Sequence, residues 1–238
     1  MVIDATTMRY SELNRAIRQT DTCHITGCMG QRFIASGMKD REIEIDGIPG
    51  NALGAYLTGA TVRVNGNAQD AVGDTMNAGR ITVCGNVGDA VGYAMRGGEI
   101  YIRGNAGYRA GIHMKEYKEK KPVLVIGGRA GSFLGEYQAG GLLIVLGLGI
   151  GEKPILGNFP CTGMHGGKVF LRSTAEGISF PPNVTTHTAT EEDMAEIRPY
   201  LAAYCEQFGY DLTNLSDTPF TVVTPDSGNP YKQMYVAN

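Results

Sequence analysis

Short segments in which apolar and polar residues alternate recur along the first three quarters of the chain. Seven such segments read EIEID, TVRVN, RITVC, EIYIR, VLVIG, LLIVL and KVFLR. Alternation with a period of two predicts β-strands that bury one face. The predicted inward pairs are Ile43/Ile45, Val62/Val64, Ile81/Val83, Ile100/Ile102, Leu124/Ile126, Leu143/Val145 and Val169/Leu171.

Glycines follow the same period. Gly47, Gly66, Gly85 and Gly104 are each 19 residues apart, and this period is too short for a helical repeat such as ankyrin. It suits one turn of a parallel β-helix, with glycines at corners where backbones come close. The 34 glycines are about twice the usual ~7% share. The sequence therefore predicts an all-β solenoid of about seven coils over residues 23–172.

One insertion interrupts the period between Gly104 and Gly128. The step there is 24 residues, and the segment KEYKEKK (115–121) accounts for the extra length. A run of mixed charge like this one is either a solvated loop or a docking patch.

The segments that flank the solenoid predict short helices that cover its open ends. Residues 1–22 contain an amphipathic pattern over 10–19, and residues 173–238 contain a longer one over 190–209. In the longer pattern Pro199 is expected to bend the helix or to start a second one. A short strand-like run and a Pro/Gly-rich tail follow.

The outward side chains of the predicted strands change from polar to apolar along the stack. In order they are Glu44, Arg63, Thr82, Tyr101, Val125, Ile144 and Phe170. An exposed apolar strip favours association, so Tyr101, Val125, Ile144 and Phe170 are a possible subunit interface, including one between copies of the chain. We expect the C-terminal helix to cover most of this strip and the tail after Thr221 to complete an interface.

Composition narrows the classes of partner. A net charge of −3 gives no basic footprint for nucleic acid. The start of the chain has no basic and apolar signal pattern, and no apolar run approaches the ~20 residues of a membrane span. Five scattered cysteines fit reduced thiols better than a disulfide framework. A cytoplasmic protein that binds neither membrane nor nucleic acid is expected.

Two glycine-rich segments invite comparison with nucleotide sites. VLVIGGRAGSFLG and GLGIGE both lack a complete G-x-G-x-x-G, and another strand follows the first where a dinucleotide site needs a helix. We expect both segments to be coil corners, so that the chain itself binds no FMN and no nicotinamide nucleotide.

The sequence also contains no clear pattern for a metal or catalytic site. Cys23, His24 and Cys28 are close in sequence, but Cys-His-x3-Cys is not a standard zinc spacing. Reduced thiols packed near the first coil are the favoured interpretation. The remaining histidines are scattered, so no catalytic, cofactor-binding or metal-binding residue is predicted.

The repeats GNALGAYLTGATVRVNG, GNAQDAVGDTMNAGRITVCGN and GNVGDAVGYAMRGGEIYIRGNAG resemble the GXGXG-motif domain of the large subunit of glutamate synthase. The resemblance covers roughly residues 23–172 and implies a right-handed β-helix. Related separate subunits accompany a glutamine amidotransferase and an FMN- and iron–sulfur-containing subunit. In those complexes ammonia from glutamine travels to the FMN site, while the β-helix holds the other parts in place.

The resemblance implies a non-catalytic scaffold subunit in nitrogen assimilation and glutamate biosynthesis. Its partners would be the amidotransferase and the FMN-binding subunit, with FMN and the iron–sulfur cluster held there. Two alternatives stay open: the equivalent subunit of N-methylglutamate synthase, and the β-helical subunit of formylmethanofuran dehydrogenase.

Overall fold

The computed structural model describes residues 1–226, and most of its strands form one continuous stack. The elements in chain order are β1 Val2–Asp4, α1 Tyr10–Ile17, β2 Thr22–Met29, β3 Glu42–Ile48, β4 Thr58–Val64, β5 Ala78–Val83, β6 Glu99–Ile102, β7 Val123–Ile126, β8 Ala139–Val145, β9 Gly166–Leu171, β10 Val184–Thr188, α2 Glu191–Phe208, α3 Leu212–Ser216 and β11 Thr221–Pro225. Strands β1 to β9 are parallel and adjacent in chain order. Antiparallel β11 and β10 complete the sheet.

The strands stack in the register that the period predicts. Ile43 aligns with Val62, and Val62 aligns with Ile81. All of the predicted inward side chains are at most 3% exposed. The predicted parallel solenoid is thus confirmed, and its core is a set of continuous aliphatic columns.

Strand β2 adds a turn that the sequence analysis did not count. Cys23 aligns with Ile43 and Ile25 aligns with Ile45, and both β2 side chains are buried. The stack therefore has about eight turns instead of seven. The extra turn escaped notice because a cysteine takes one of its two inward positions.

A side-chain ladder explains why the dipeptide Gly-Asn recurs with the coil period. The N–H of Asn86 donates to Oδ1 of Asn67 at 2.8 Å, and the N–H of Asn105 donates to Oδ1 of Asn86 at 2.8 Å. The N–H of Arg129 then donates to Oδ1 of Asn105 at 2.9 Å. Each asparagine thereby satisfies a corner N–H that has no strand partner.

The chain covers both ends of the stack with its own flanking segments. Leu13 and Ile17 of α1 are fully buried at the first end, as the amphipathic pattern predicts. At the other end β11 pairs with β9 and buries Val222 and Val223 completely. The expectation that the tail after Thr221 completes a subunit interface is therefore wrong for residues 222–225, because they belong to a strand of the sheet. The rest of the tail, residues 227–238, lies outside the described residues.

Helix α2 has the ends that its sequence predicts. The Thr190 hydroxyl accepts from the N–H of Asp193, and Gly209 ends the helix with a φ of 74°. Pro199 does not split the helix, which continues through it for 18 residues.

Candidate interaction surface

The four side chains predicted as a possible interface lie beneath α2. Their exposed fraction is 0% in each case: Tyr101, Val125, Ile144 and Phe170. They form one apolar cluster with Ile197, Leu201 and Tyr204 of α2. The interface prediction is corrected for these residues, because the chain's own helix occupies their surface. The expectation that α2 covers the strip agrees with this packing.

The direction of α2 across the sheet accounts for the change from polar to apolar outward residues. Near its start, Asp193 pairs with Lys168, and near its end Gln207 accepts hydrogen bonds from Arg63 and Thr82. Between these ends the Tyr204 hydroxyl donates to the carbonyl of Arg103 at 3.3 Å. Glu44, which precedes these contacts in the stack, keeps a polar environment through Asn65.

Asp193 is the polar anchor of α2. Its carboxylate accepts from the Lys168 ammonium at 3.0 Å, from His187 at 3.0 Å and from the hydroxyl of Thr190 at 2.9 Å. Burial would raise the pKa of Asp193, but the Thr190 N–H, Lys168, His187 and the Thr190 hydroxyl outweigh burial and lower the pKa well below its usual range. The ionised carboxylate therefore stabilises the docked helix.

We expect Asp193→Asn to lower the free energy of unfolding at pH 7 by about 1–3 kcal/mol, since a charged hydrogen-bond acceptor is lost. The folded-state pKa of Asp193 is below the unfolded value of ~3.9. Its contribution is therefore present above about pH 4 and is lost as the pH falls through the folded-state pKa. Urea unfolding at pH 7 and pH 3 checks this, and the difference between the two proteins should be smaller at pH 3. The exposed Glu192→Gln is the matched control, and equal stability of Asp193→Asn and the parent at pH 7 would contradict the prediction.

The corner that follows each glycine-rich turn has an unusual backbone. Three alternate residues take positive φ, as at Ala52 (62°), Gly54 (65°) and Tyr56 (57°). The N–H groups of these residues bond alternately to the next and to the previous coil, as Tyr56 does to Asp74 at 2.7 Å and Gly54 to Ile34 at 2.8 Å. These inter-coil bonds offset the cost of left-handed conformations at non-glycine residues. The corner is consequently a rigid platform.

Aromatic rings project from this platform over the later coils and form what we term the aromatic ridge. Its members are Tyr93, Arg109, His113, Phe133, Tyr137 and Phe159. His113 stacks on Tyr137 with ring centroids 5.2 Å apart, and Phe133 stacks on Phe159 at 5.3 Å. Phe159 is 63% exposed, which is unusual for a phenylalanine.

Arg109 lies over one of the two aromatic pairs. Its guanidinium carbon lies 5.3 Å from the centroid of the Phe133 ring, and its Nε donates to Glu136 at 3.1 Å. Exposed Tyr, Phe and Arg on a rigid backbone have the composition of an interface hot spot. The ridge is thus a candidate interaction surface.

Sequence reasoning missed the ridge because it followed the strands. The spacing did contain a signal, since Arg109, Phe133 and Phe159 occupy equivalent corner positions. The N–H groups of Arg109 and Phe133 both bond to the next coil. The same corner column begins with Phe33 and then holds small residues at Ala52, Ala71 and Ala90. A comparison of corner columns as well as strand columns would have found the change.

Cys23, His24 and Cys28 do not converge on one point. Both thiols are buried in the core, whereas His24 pairs with Asp46 at 2.7 Å on the surface. Burial raises the pKa of the Cys28 thiol to about 11 and also raises that of Cys23, which disfavours the thiolate that a metal needs. Within residues 1–226 no group of three metal-ligating side chains comes together.

The other histidines are likewise distributed over separate places. His113 belongs to the ridge, and His187 pairs with Asp193 beside α2. No helix in the described part of the chain has the length and apolar character needed to cross a membrane.

The chain is similar in sequence to known proteins over nearly all of its length. The model of the GXGXG motif family matches residues 4–221. An uncharacterized protein of Methanocaldococcus jannaschii is 45% identical over an alignment of 252 positions that covers 99% of this chain and 96% of that protein.

A solved structure shares the fold. It is the X-ray structure of the formyltransferase/hydrolase complex (FhcABCD) from Methylorubrum extorquens in complex with methylofuran. The superposition has a TM-score of 0.61 at 22% identity and covers 83% of this chain and 71% of that one. Similar folds thus occur in a chain of a multi-subunit complex.

Proposed function

The chain belongs to the GXGXG motif family, and from that membership we propose that it is the scaffold subunit of a glutamate synthase-type complex. The proposed partners are a glutamine amidotransferase subunit and an FMN-binding, iron–sulfur-containing synthase subunit. The family match over residues 4–221 carries the proposal, because it takes up nearly all of the chain. FMN and the iron–sulfur cluster belong to the partner in this proposal, and the complex functions in the cytoplasm.

The architecture supports a positional role. The inward columns fill the core and α2 covers the apolar strip, so these side chains are already used in folding. The ridge is exposed on a corner whose backbone is bonded to the coils above and below. A rigid body with an aromatic surface of this kind can position a partner subunit without contributing a reacting group.

Affinity purification of the tagged chain from its native cells tests the proposal. We expect the purified complex to show flavin absorbance, to contain iron, and to form glutamate from glutamine and 2-oxoglutarate when supplied with reductant. A chain that elutes alone, or a complex without flavin, would contradict the glutamate synthase assignment. A purified complex that forms an N-methylated product instead of glutamate would favour the N-methylglutamate synthase alternative.

The ridge is the surface on which we expect a partner to bind. Replacing Tyr137 and Phe159 together by Ala should weaken partner capture by at least about tenfold, since hot-spot aromatics each contribute ~2 kcal/mol or more. Co-elution of the partner subunits and flavin content measure the effect. Tyr56→Ala is the control, because Tyr56 lies on the same corner in an earlier coil and is 56% exposed. Full capture by the double variant would place the partner on another surface.

A second candidate is a β-helical subunit of a formylmethanofuran dehydrogenase-type complex. The similarity to a chain of the formyltransferase/hydrolase complex favours it. Molybdenum or tungsten in the purified complex, in place of flavin, would support this candidate over the first.

A further inference from the structure

The asparagine ladder stops at Arg129. This residue occupies the position that Asn67, Asn86 and Asn105 hold in earlier coils, and its N–H donates the last bond of the ladder to Oδ1 of Asn105 at 2.9 Å. An arginine side chain has no acceptor oxygen, so it cannot continue the ladder into the next coil. The corner above Arg129 must be built differently.

The next coil leaves the regular path at this point. After Gly147 bonds to the carbonyl of Gly128, the chain makes an excursion and returns where Gly157 bonds to the carbonyl of Ala130. Gly149 and Gly151 in the excursion have φ values of 68° and 59°. The excursion carries Lys153 over the same corner as Arg129.

A cavity of about 360 Å³ lies between the excursion and the two coils beneath it. Its lining includes Arg129, Ser132, Gly149 and Lys153. The two glycine-rich segments that fail the dinucleotide pattern therefore meet at one place, although neither leads into a helix there.

The charges around this cavity are unbalanced. Arg129 and Lys153 have no carboxylate partner among residues 1–226, and within that range no Asp or Glu lines the cavity. Nε of Arg129 is buried and has no hydrogen-bond acceptor among those residues. Arg129 is half-buried and Lys153 is exposed, so two cations face the cavity without a carboxylate beside them.

We propose that this cavity binds a small phosphate-type oxyanion, either inorganic phosphate or the phosphate group of a larger molecule. Two cations match a doubly charged anion, and both a guanidinium and an ammonium form charge-assisted hydrogen bonds to oxyanion oxygens. The volume exceeds that of one phosphate, which leaves space for an attached group. This site does not depend on the proposed scaffold function.

Isothermal titration calorimetry of the full-length chain with inorganic phosphate tests the site, with chloride at equal ionic strength as the reference. We expect saturable one-to-one binding. Glycerol phosphate serves as the probe for an attached group: tighter binding than inorganic phosphate indicates a phosphomonoester, and equal binding indicates the free anion.

Arg129→Gln and Lys153→Gln are each expected to weaken phosphate binding at least about tenfold, because each removes a charge-assisted hydrogen bond. Arg129→Lys should restore only part of the loss, since it keeps the charge and loses the planar guanidinium. The controls are Arg96→Gln and Lys118→Gln, which remove exposed cations elsewhere. Absence of saturable phosphate binding by the parent protein, or equal binding by Lys153→Gln and the Lys118→Gln control, would overturn the proposal. The comparison of Lys153→Gln with Lys118→Gln tests the proposal even if Arg129→Gln fails to fold.

Discussion

Val83→Asp is expected to abolish the soluble, folded protein. Val83 lies in the centre of the stack, is fully buried, and pairs with Val64 below and Ile102 above. Each of these neighbours is also fully buried and aliphatic. A carboxyl group placed there would have no hydrogen-bond partner and no water. Burying it unpaired in a dry core is costly whether it is protonated or charged.

The expected loss is more than about 4 kcal/mol, at the severe end of single substitutions. It approaches the whole stability of an ordinary domain, about 5–15 kcal/mol. The effect should also spread, because each coil of a solenoid is stabilised by its neighbours. Soluble yield, circular dichroism and thermal unfolding measure it.

Thr61→Asp provides the matched control, since Thr61 is an exposed residue of the adjoining strand β4. It introduces the same charge into the same sheet without burying it, and the fold should persist. A Val83→Asp protein with the thermal stability of the control would show that the inward register is wrong.

Ending the chain after Thr221 is expected to destabilise the fold severely. The truncation removes Val222 and Val223, which are fully buried, and it deletes the strand that separates β9 from β10. Burial of two valines contributes about 3–6 kcal/mol. Loss of β11 also exposes the edge of β9, and an open edge of a parallel stack favours aggregation.

A second truncation, after Asp226, isolates the contribution of β11. It keeps β11 and its pairs with both neighbouring strands, so it should retain the fold. Thermal unfolding and light scattering of the two truncated proteins give the comparison. Equal stability of the two would mean that β11 is not needed to close the stack.

Much of this fold could be read from local pattern. The alternation around Ile100 and Ile102 and the 19-residue glycine period each depend only on residues near in sequence. The register follows from the period, because equivalent residues of a repeating coil must stack on one another. The ends of α2 were predictable for the same reason, since Thr190 and Gly209 act on adjacent backbone groups.

The candidate surfaces depended on contacts that no local pattern contains. The strip from Tyr101 to Phe170 was identifiable as apolar, but only the tertiary structure shows that α2 buries it completely. The candidate interaction surface lies instead at the corners, where the stacking of two coils brings His113 and Tyr137 together.

The sequence by itself determined the solenoid, the inward columns, the capping helix α1 and the ends of α2, because these follow from short-range periodicity and local hydrogen bonding. Tertiary structure decided which surfaces stay exposed, that β11 enters the sheet beside β9, and that Arg129 and Lys153 share a cavity. The physical reason is that each of these features depends on segments far apart in the chain, whose meeting is set by the packing of the whole stack and not by the preference of either segment.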